Sequence, residues 1–287
     1  MPATFRFASI FPAWLAASLL GISSSAAIAA DVSPWHDDLQ SAVRLVAAQA
    51  RDDGNGRILR AGVEIKLKEG WKTYWRYPGD SGVPPTLDFS KSQNVKAVTV
   101  LYPAPSRFAD GAGGHSIGYK GDVTLPLHVV PQDPGKPVML NLKLDYATCE
   151  KLCMPAEAQV ELTLTGVASS AESVVSAAEA HVPKLTHVGD SGALAIRGVR
   201  REAGSAKPRI VVDVAVPDGK SLTLFAEGPT PQWALPLPEP VAGAPAGLQR
   251  FAFDLDGLPP GAAAHGSELR FTAVAGDQSV EAAFRLD

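Results

Sequence analysis

"VMLNLKLDYATCEKLCMPAEAQVELTL", residues 138–164, holds both cysteines of the chain between two alternating runs. In the first run Val138, Leu140, Leu142, Leu144 and Tyr146 fall on one face, and Asn141, Lys143 and Asp145 on the other. The second run repeats the pattern with Val160, Leu162 and Leu164. A side-chain period of two belongs to a strand with one buried face. Two such runs in succession predict consecutive β-strands, with Cys149 and Cys153 at their connection.

The same rhythm extends outward in both directions. Upstream, "AGVEIKLK" (61–68) sets Val63, Ile65 and Leu67 against Glu64, Lys66 and Lys68. Glu69 and Gly70 then lead into "WKTYWRY", where Trp71, Trp75 and Tyr77 share a face, so the spacing predicts a hairpin. Downstream, "SSAESVVSAAEAHV" (169–182) breaks the alternation. Ser169 or Ser170 can cap a helix there, Glu172 sits in its first turn, Val174, Ala178 and Val182 make a stripe, and Pro183 ends it. Beyond it, "RIVVDVAV", "SLTLFAE", "RFAFDLD", "ELRFTAV" and "SVEAAFRL" are short strands divided by Gly and Pro turns. The expected architecture is all-β: two antiparallel β-sandwich domains in tandem, at 31–168 and 185–287, joined by a helical linker at 169–184.

Residues 1–30 read as a cleavable export signal. Arg6 precedes an apolar stretch from Ile10 to Ile22, and Ala27-Ile28-Ala29 is a small-residue cleavage pattern. The stretch is short and carries Pro12, and no later span reaches membrane length. The expected mature protein is therefore exported to the periplasm, where thiols can be oxidised. With 26 basic and 30 acidic residues the net charge is -4, the wrong sign for nucleic acid. No basic amphipathic helix points to a membrane surface.

Other motifs give little chemistry. "GDSG" (79–82) looks like the nucleophile region of trypsin-like proteases, but it runs into Val83-Pro84-Pro85 without a matching histidine motif. It reads as a turn. "GAGGHSIGYKG" (111–121) fits neither common phosphate-binding pattern and reads as a glycine-rich loop with His115 exposed on it. The six histidines are scattered, with no metal-ligand spacing among them. No cofactor or resident metal is expected.

The cysteine pair admits three readings. A structural staple over so short a loop is worth only about 2 kcal/mol in the chain-entropy model, against about 4.7 for a hundred-residue loop. That is a poor brace for a chain able to bury a full core. Metal binding has soft donors in Cys149, Cys153 and Met154, suited to Cu(I). The C-x-x-x-C core resembles that of Sco-like copper-delivering proteins, but Met154 precedes Pro155 and the setting is strand-turn-strand. The third reading, redox exchange, suits a short and easily strained closure best. Glu150 and Lys151 offset each other, Asp145 is near, and no histidine adjoins, so nothing local depresses a thiol pKa. All three remain open on the residues alone.

Four segments, "GWKTYWRYPGDSGVPPTLDF" (70–89), "YPAPSRF" (102–108), "GHSIGYKGDVTLPLHV" (114–129) and "LDYATCEKLCMPAEAQVELTL" (144–164), resemble the N-terminal periplasmic domain of DsbD-type disulfide reductases. The nearer likeness is to the ScsB branch, associated with copper tolerance. The resemblance implies immunoglobulin-like sandwiches and a redox-active pair that relays electrons from a membrane-embedded reductase to thioredoxin-like clients. It further implies that Cys153 forms the mixed disulfide with a partner and Cys149 resolves it. A cap loop over the pair would map to Phe108 through Tyr119, with His115 inside it and Tyr119 and Tyr146 flanking the cysteines. The transmembrane segment and thioredoxin-like domain of full-length DsbD have no counterpart in the sequence, so the donor is expected to be a separate protein. The rival from another class is an immunoglobulin-like binding module with a permanent disulfide.

Overall fold

The computed structural model describes residues 1–4, 30–52, 54, 56–79, 82–109, 114–202 and 207–287. The export-signal residues from Phe5 to Ala29, Asp80 and Ser81 of the expected turn, and Asp110 to Gly113 of the expected cap lie outside the described residues.

Among the described residues, eleven strands precede the helix. They are β1 (His36–Asp37), β2 (Ser41–Asp52), β3 (Arg57–Leu67), β4 (Lys72–Gly79), β5 (Thr86–Asp88) and β6 (Val95–Val100). Then come β7 (Ser106–Ala109), β8 (His115–Lys120), β9 (Val123–Pro131), β10 (Val138–Cys149) and β11 (Cys153–Leu164). One sheet runs in the order β1-β2-β3-β9-β6 and the other β11-β10-β4-β8-β7, with β5 also pairing β10. The inward faces supply the core: Val63 and Ile65 from one sheet, and Leu140, Leu142 and Leu144 from the other, are buried as the alternation requires.

The expected hairpin between 61–68 and 71–77 does not form. β3 pairs with β2 and β9, whereas β4 pairs with β8 and β10, so the chain changes sheets at Lys68–Trp71. Gly70, at φ +84°, takes the left-handed turn that this crossing needs. Alternation specifies which face is buried but not which strand lies alongside.

Helix α1 (Glu172–Ala180) is less a free connector than a fitting on the first sandwich. Its buried residues are Ala171 and Val175, packed on Val46 and Ala48, rather than the stripe Val174–Ala178–Val182. Its N-cap is Ala171, without a side-chain cap, because Ser169 Oγ donates to Ala47 O of β2 and the Ser170 N–H donates to Asp31. The helix is held by Arg60 of β3, only 2% exposed, whose guanidinium donates to Glu172, Glu179 and Ser176.

The remaining strands are β12 (Lys184–His187), β13 (Ala195–Glu202), β14 (Arg209–Ala215), β15 (Thr223–Glu227), β16 (Glu239–Val241), β17 (Leu248–Asp254), β18 (Glu268–Ala275) and β19 (Gln278–Arg285). They make two four-stranded sheets, β12-β19-β18-β15 and β13-β14-β17-β16. The architecture is thus all-β, two sandwiches in tandem, as the strand spacing led one to expect. The two share one continuous apolar core. Trp75 of β4 packs on Phe225 of β15, ring centroids 5.8 Å apart. Tyr77 donates its hydroxyl proton to Trp233 O and accepts from the Leu235 N–H at 2.6 Å. Arg76 reaches Glu227 at 2.7 and 2.8 Å and pairs with Glu281. Burial pulls the Arg76 pKa down, but the two carboxylates more than offset this and hold the guanidinium charged.

Candidate functional site

The cysteines close the β10–β11 hairpin. Cys149 ends one strand, Cys153 begins the other, and the two are partners in the antiparallel register. Their sulfurs are joined in a disulfide, with Cα atoms 4.1 Å apart. The sides of this bond differ: Cys149 is 4% exposed, whereas Cys153 is exposed, flanked by exposed Leu152 and Met154.

Cys149 lies on the outward, odd-numbered face of β10, with Ala147. Beside it Lys72 and Thr73 of β4 pair with Cys149 and Thr148, and Thr73 Oγ1 donates to Ala147 O at 2.9 Å. That register brings Tyr74 onto the disulfide. Its hydroxyl oxygen lies 2.8 Å from Cys149 Sγ and 3.0 Å from Cys153 Sγ. Disulfide sulfurs carry no proton, so the phenol is the donor. Tyr74, Ala147 and Cys149 form a small buried cluster of their own on the outer face. Two glycines make room for it. A Cβ at Gly118 of β8 would stand 2.0 Å from Thr73 O and 2.9 Å from Tyr74 Cα, and one at Gly82 would stand 2.7 Å from the Tyr74 ring.

The other expected site residues fall nearby but make different contacts. Tyr119 points inward, its hydroxyl donating to Pro103 O at 2.9 Å, and burial lifts its pKa well above the ordinary phenol value. Tyr146 also points inward, sharing a 2.7 Å hydrogen bond with Ser41. Even-numbered positions of β10 face the core, so Tyr146 and Cys149 lie on opposite faces. Phe108 is buried in β7, with the Lys72 ammonium 4.7 Å and the Lys120 ammonium 5.6 Å from its ring centroid. Lys72 is the register partner of Cys149, so it links Phe108 to the disulfide. His115 is half-buried at the start of β8 rather than exposed on a loop, with Arg107 Nη2 at 3.2 Å from its Nδ1. Arg107 in turn reaches Glu239 of the second sandwich at 2.8 Å.

Sequence reasoning missed Tyr74 and Lys72. The available signal was parity: with Trp75 and Tyr77 assigned inward, Lys72 and Tyr74 had to face outward, as the cysteines do. Among the described residues, no cluster of three or more His, Cys, Asp or Glu side chains is arranged to hold a metal.

Fold and site together define a two-sandwich protein with an accessible disulfide at one end of its first sandwich. Residues 38–165 match the family model of the thiol:disulfide interchange protein DsbD, N-terminal. The resemblance drawn from the four sequence segments therefore extends, as a similarity to that family, over residues 38–165, which span the first sandwich. Among solved structures, the chain is similar to the N-terminal periplasmic domain of ScsB from Proteus mirabilis, at TM-score 0.68 and 21% identity. That likeness covers 90% of this chain and 98% of the other, so the fold extends over both sandwiches. A search of curated proteins gave no match.

Proposed function

We propose that the protein is a periplasmic thiol–disulfide interchange protein, relaying reducing equivalents from a separate membrane-embedded reductase to thioredoxin-like clients. The observation that carries this reading is the unequal exposure of one disulfide: Cys153 is open to a partner and Cys149 is buried behind it. In the reduced protein, the Cys153 thiolate attacks a client disulfide, forming a mixed disulfide and releasing one client thiolate. The Cys149 thiolate then attacks Cys153 Sγ, which frees the second client thiolate and restores the Cys149–Cys153 bond. Two electrons pass to the client, and the membrane reductase returns them to the pair. Thiolate attack with departure of the other sulfur is the ordinary chemistry of such exchange.

The reading also takes the chain as exported, with residues 1–30 as a cleaved leader. It takes 31–168 as the redox domain, 169–184 as linker and 185–287 as the second sandwich domain. The hairpin of β7 and β8, carrying Phe108, His115 and Tyr119, serves as the cap over the cysteines. No helix among the described residues is long and apolar enough to cross a membrane.

The test is a trap. Cys149→Ser leaves Cys153 without a resolving thiol, so exchange stops at the mixed disulfide. The expected result is a covalent adduct with a thioredoxin-fold protein that dithiothreitol dissolves. No adduct with any thioredoxin-fold protein offered would leave the structural-disulfide binding module as the reading.

A further inference from the structure

We propose that the Tyr74 hydroxyl is a catalytic group of this exchange, donating its hydrogen bond to the Cys149 sulfur whenever that sulfur carries negative charge. The inference deepens the interchange reading and rests on it for its role in the cell, though the chemistry stands on the site alone.

When the disulfide opens, a partner thiolate attacks the exposed Cys153 Sγ, a partner–Cys153 bond forms, and the Cys149–Cys153 bond breaks. The electron pair of the broken bond ends on Cys149 Sγ. That sulfur is 4% exposed, in a pocket made by Tyr74 and Ala147. Burial disfavours a thiolate and raises the pKa of its thiol. Water, the usual source of compensation, is largely excluded there. The phenol O–H is already in position, 2.8 Å from Cys149 Sγ and 3.0 Å from Cys153 Sγ. The backbone that carries it is closely approached at Gly118, and Gly82 lies close against the ring edge. A donor fixed where charge develops needs no reorganisation at the moment of reaction.

In the reverse direction the same Cys149 thiolate attacks Cys153 Sγ of the mixed disulfide. The partner leaves as a thiolate and takes its proton from water, while the Cys149–Cys153 bond re-forms. One hydroxyl therefore assists both opening and closing, as microscopic reversibility demands. It lowers the energy of the intermediate that the two directions share.

The test uses Tyr74→Phe, which keeps the ring and removes only the donor. Two quantities are read on the full-length chain: the rate of disulfide reduction by dithiothreitol, and the titration of Cys149 by ¹³Cβ NMR in the reduced Cys153→Ser background. Losing a hydrogen bond to a charged acceptor should slow reduction about tenfold or more and raise the Cys149 pKa by about one unit or more. A merely structural role would lower the melting temperature and leave the Cys149 titration where it was. Unchanged rate and titration in folded Tyr74→Phe would overturn the proposal. Should that variant not fold, the unsubstituted Tyr74 protein decides: a Cys149 pKa below about 8.5 despite burial supports the proposal, and one at or above it overturns it. Trapping of a client by Cys149→Ser is scored separately. Its failure alongside a Tyr74-dependent dithiothreitol rate would sink the relay and leave this chemistry in place.

Discussion

Cys149 and Cys153 are bonded neighbours with opposite access to solvent, and that difference makes a measurable order of events. After reduction, alkylation by a neutral reagent should mark Cys153 first and Cys149 at least about tenfold more slowly, since only one sulfur is exposed. Mass spectrometry over a time course would read this, and equal rates would remove the asymmetry on which the proposed partner choice rests. The bond itself should equilibrate with thioredoxin-type couples, at a potential between about -270 and -120 mV, rather than below about -300 mV where permanent staples lie. At this scale the cysteines were fully legible, because nothing else in the sequence supplies thiols. Tyr74 was not, since parity sets it on the outer face but does not say which strand will lie beside it. Its function arises from a strand pairing with β10 that brings together residues 75 positions apart.

Among the elements, β8 tolerates no side chain at Gly118. Gly118→Ala would force its Cβ into the Thr73 carbonyl, and backbone on both sides leaves little freedom to move. The expected cost is more than about 2 kcal/mol, from overpacking, with β4 and the Tyr74 hydroxyl displaced from the sulfurs. Chemical denaturation and the dithiothreitol rate would fall together. Helix α1 offers a second element-scale prediction. The Arg60 hydrogen bond is the chief cause that holds Glu172 down at about 2. For Glu179 burial pushes the carboxyl up, but hydrogen bonds from Arg60 and His128 outweigh it and leave the value below the ordinary one. Carboxylates with depressed native pKa values contribute stability above their unfolded values, near 4.3, and lose it as pH falls through the native ones. The helix should therefore undock on going from about pH 4.5 to about pH 2. Hydrogen exchange of residues 172–180 would show protection lost in that window, and protection retained at pH 2 would contradict it. The strand runs of β10, β11 and the second sandwich were readable from alternation alone. The false hairpin and the misplaced helix stripe were not, because partner choice and helix rotation are settled by tertiary contacts. Arg60, hidden among alternating strand residues, gave no sign that it would hold a helix 112 residues away.

Across the whole molecule, the shared core predicts that the two sandwiches unfold as one cooperative unit. Calorimetry should give a single transition whose van't Hoff and calorimetric enthalpies agree. Phe225→Ala removes the ring that covers Trp75 and should cost about 3–5 kcal/mol, with the transition broadening or dividing as the sandwiches uncouple. Two transitions in the unsubstituted protein would show that the junction is a weak contact instead. The sequence announced both sandwiches through strand spacing and turn residues, yet gave no hint of their union. Trp75, Arg76 and Tyr77 read there simply as part of a strand, although their partners lie about 150 residues downstream.

Strand β4 divides its labour within six residues: Lys72 pairs with Cys149 in the sheet, the Tyr74 hydroxyl reaches the sulfurs, and Trp75 through Tyr77 serve the second sandwich. Natural variants of this protein are therefore expected to drift freely in side chains along the outer edge of β11, but not to gain or lose a single residue between 72 and 77. One added residue would turn the phenol away from the disulfide and the indole away from Phe225 in the same stroke. Chemistry and assembly thus share one fixed spacing, and neither can be altered by indel without losing the other.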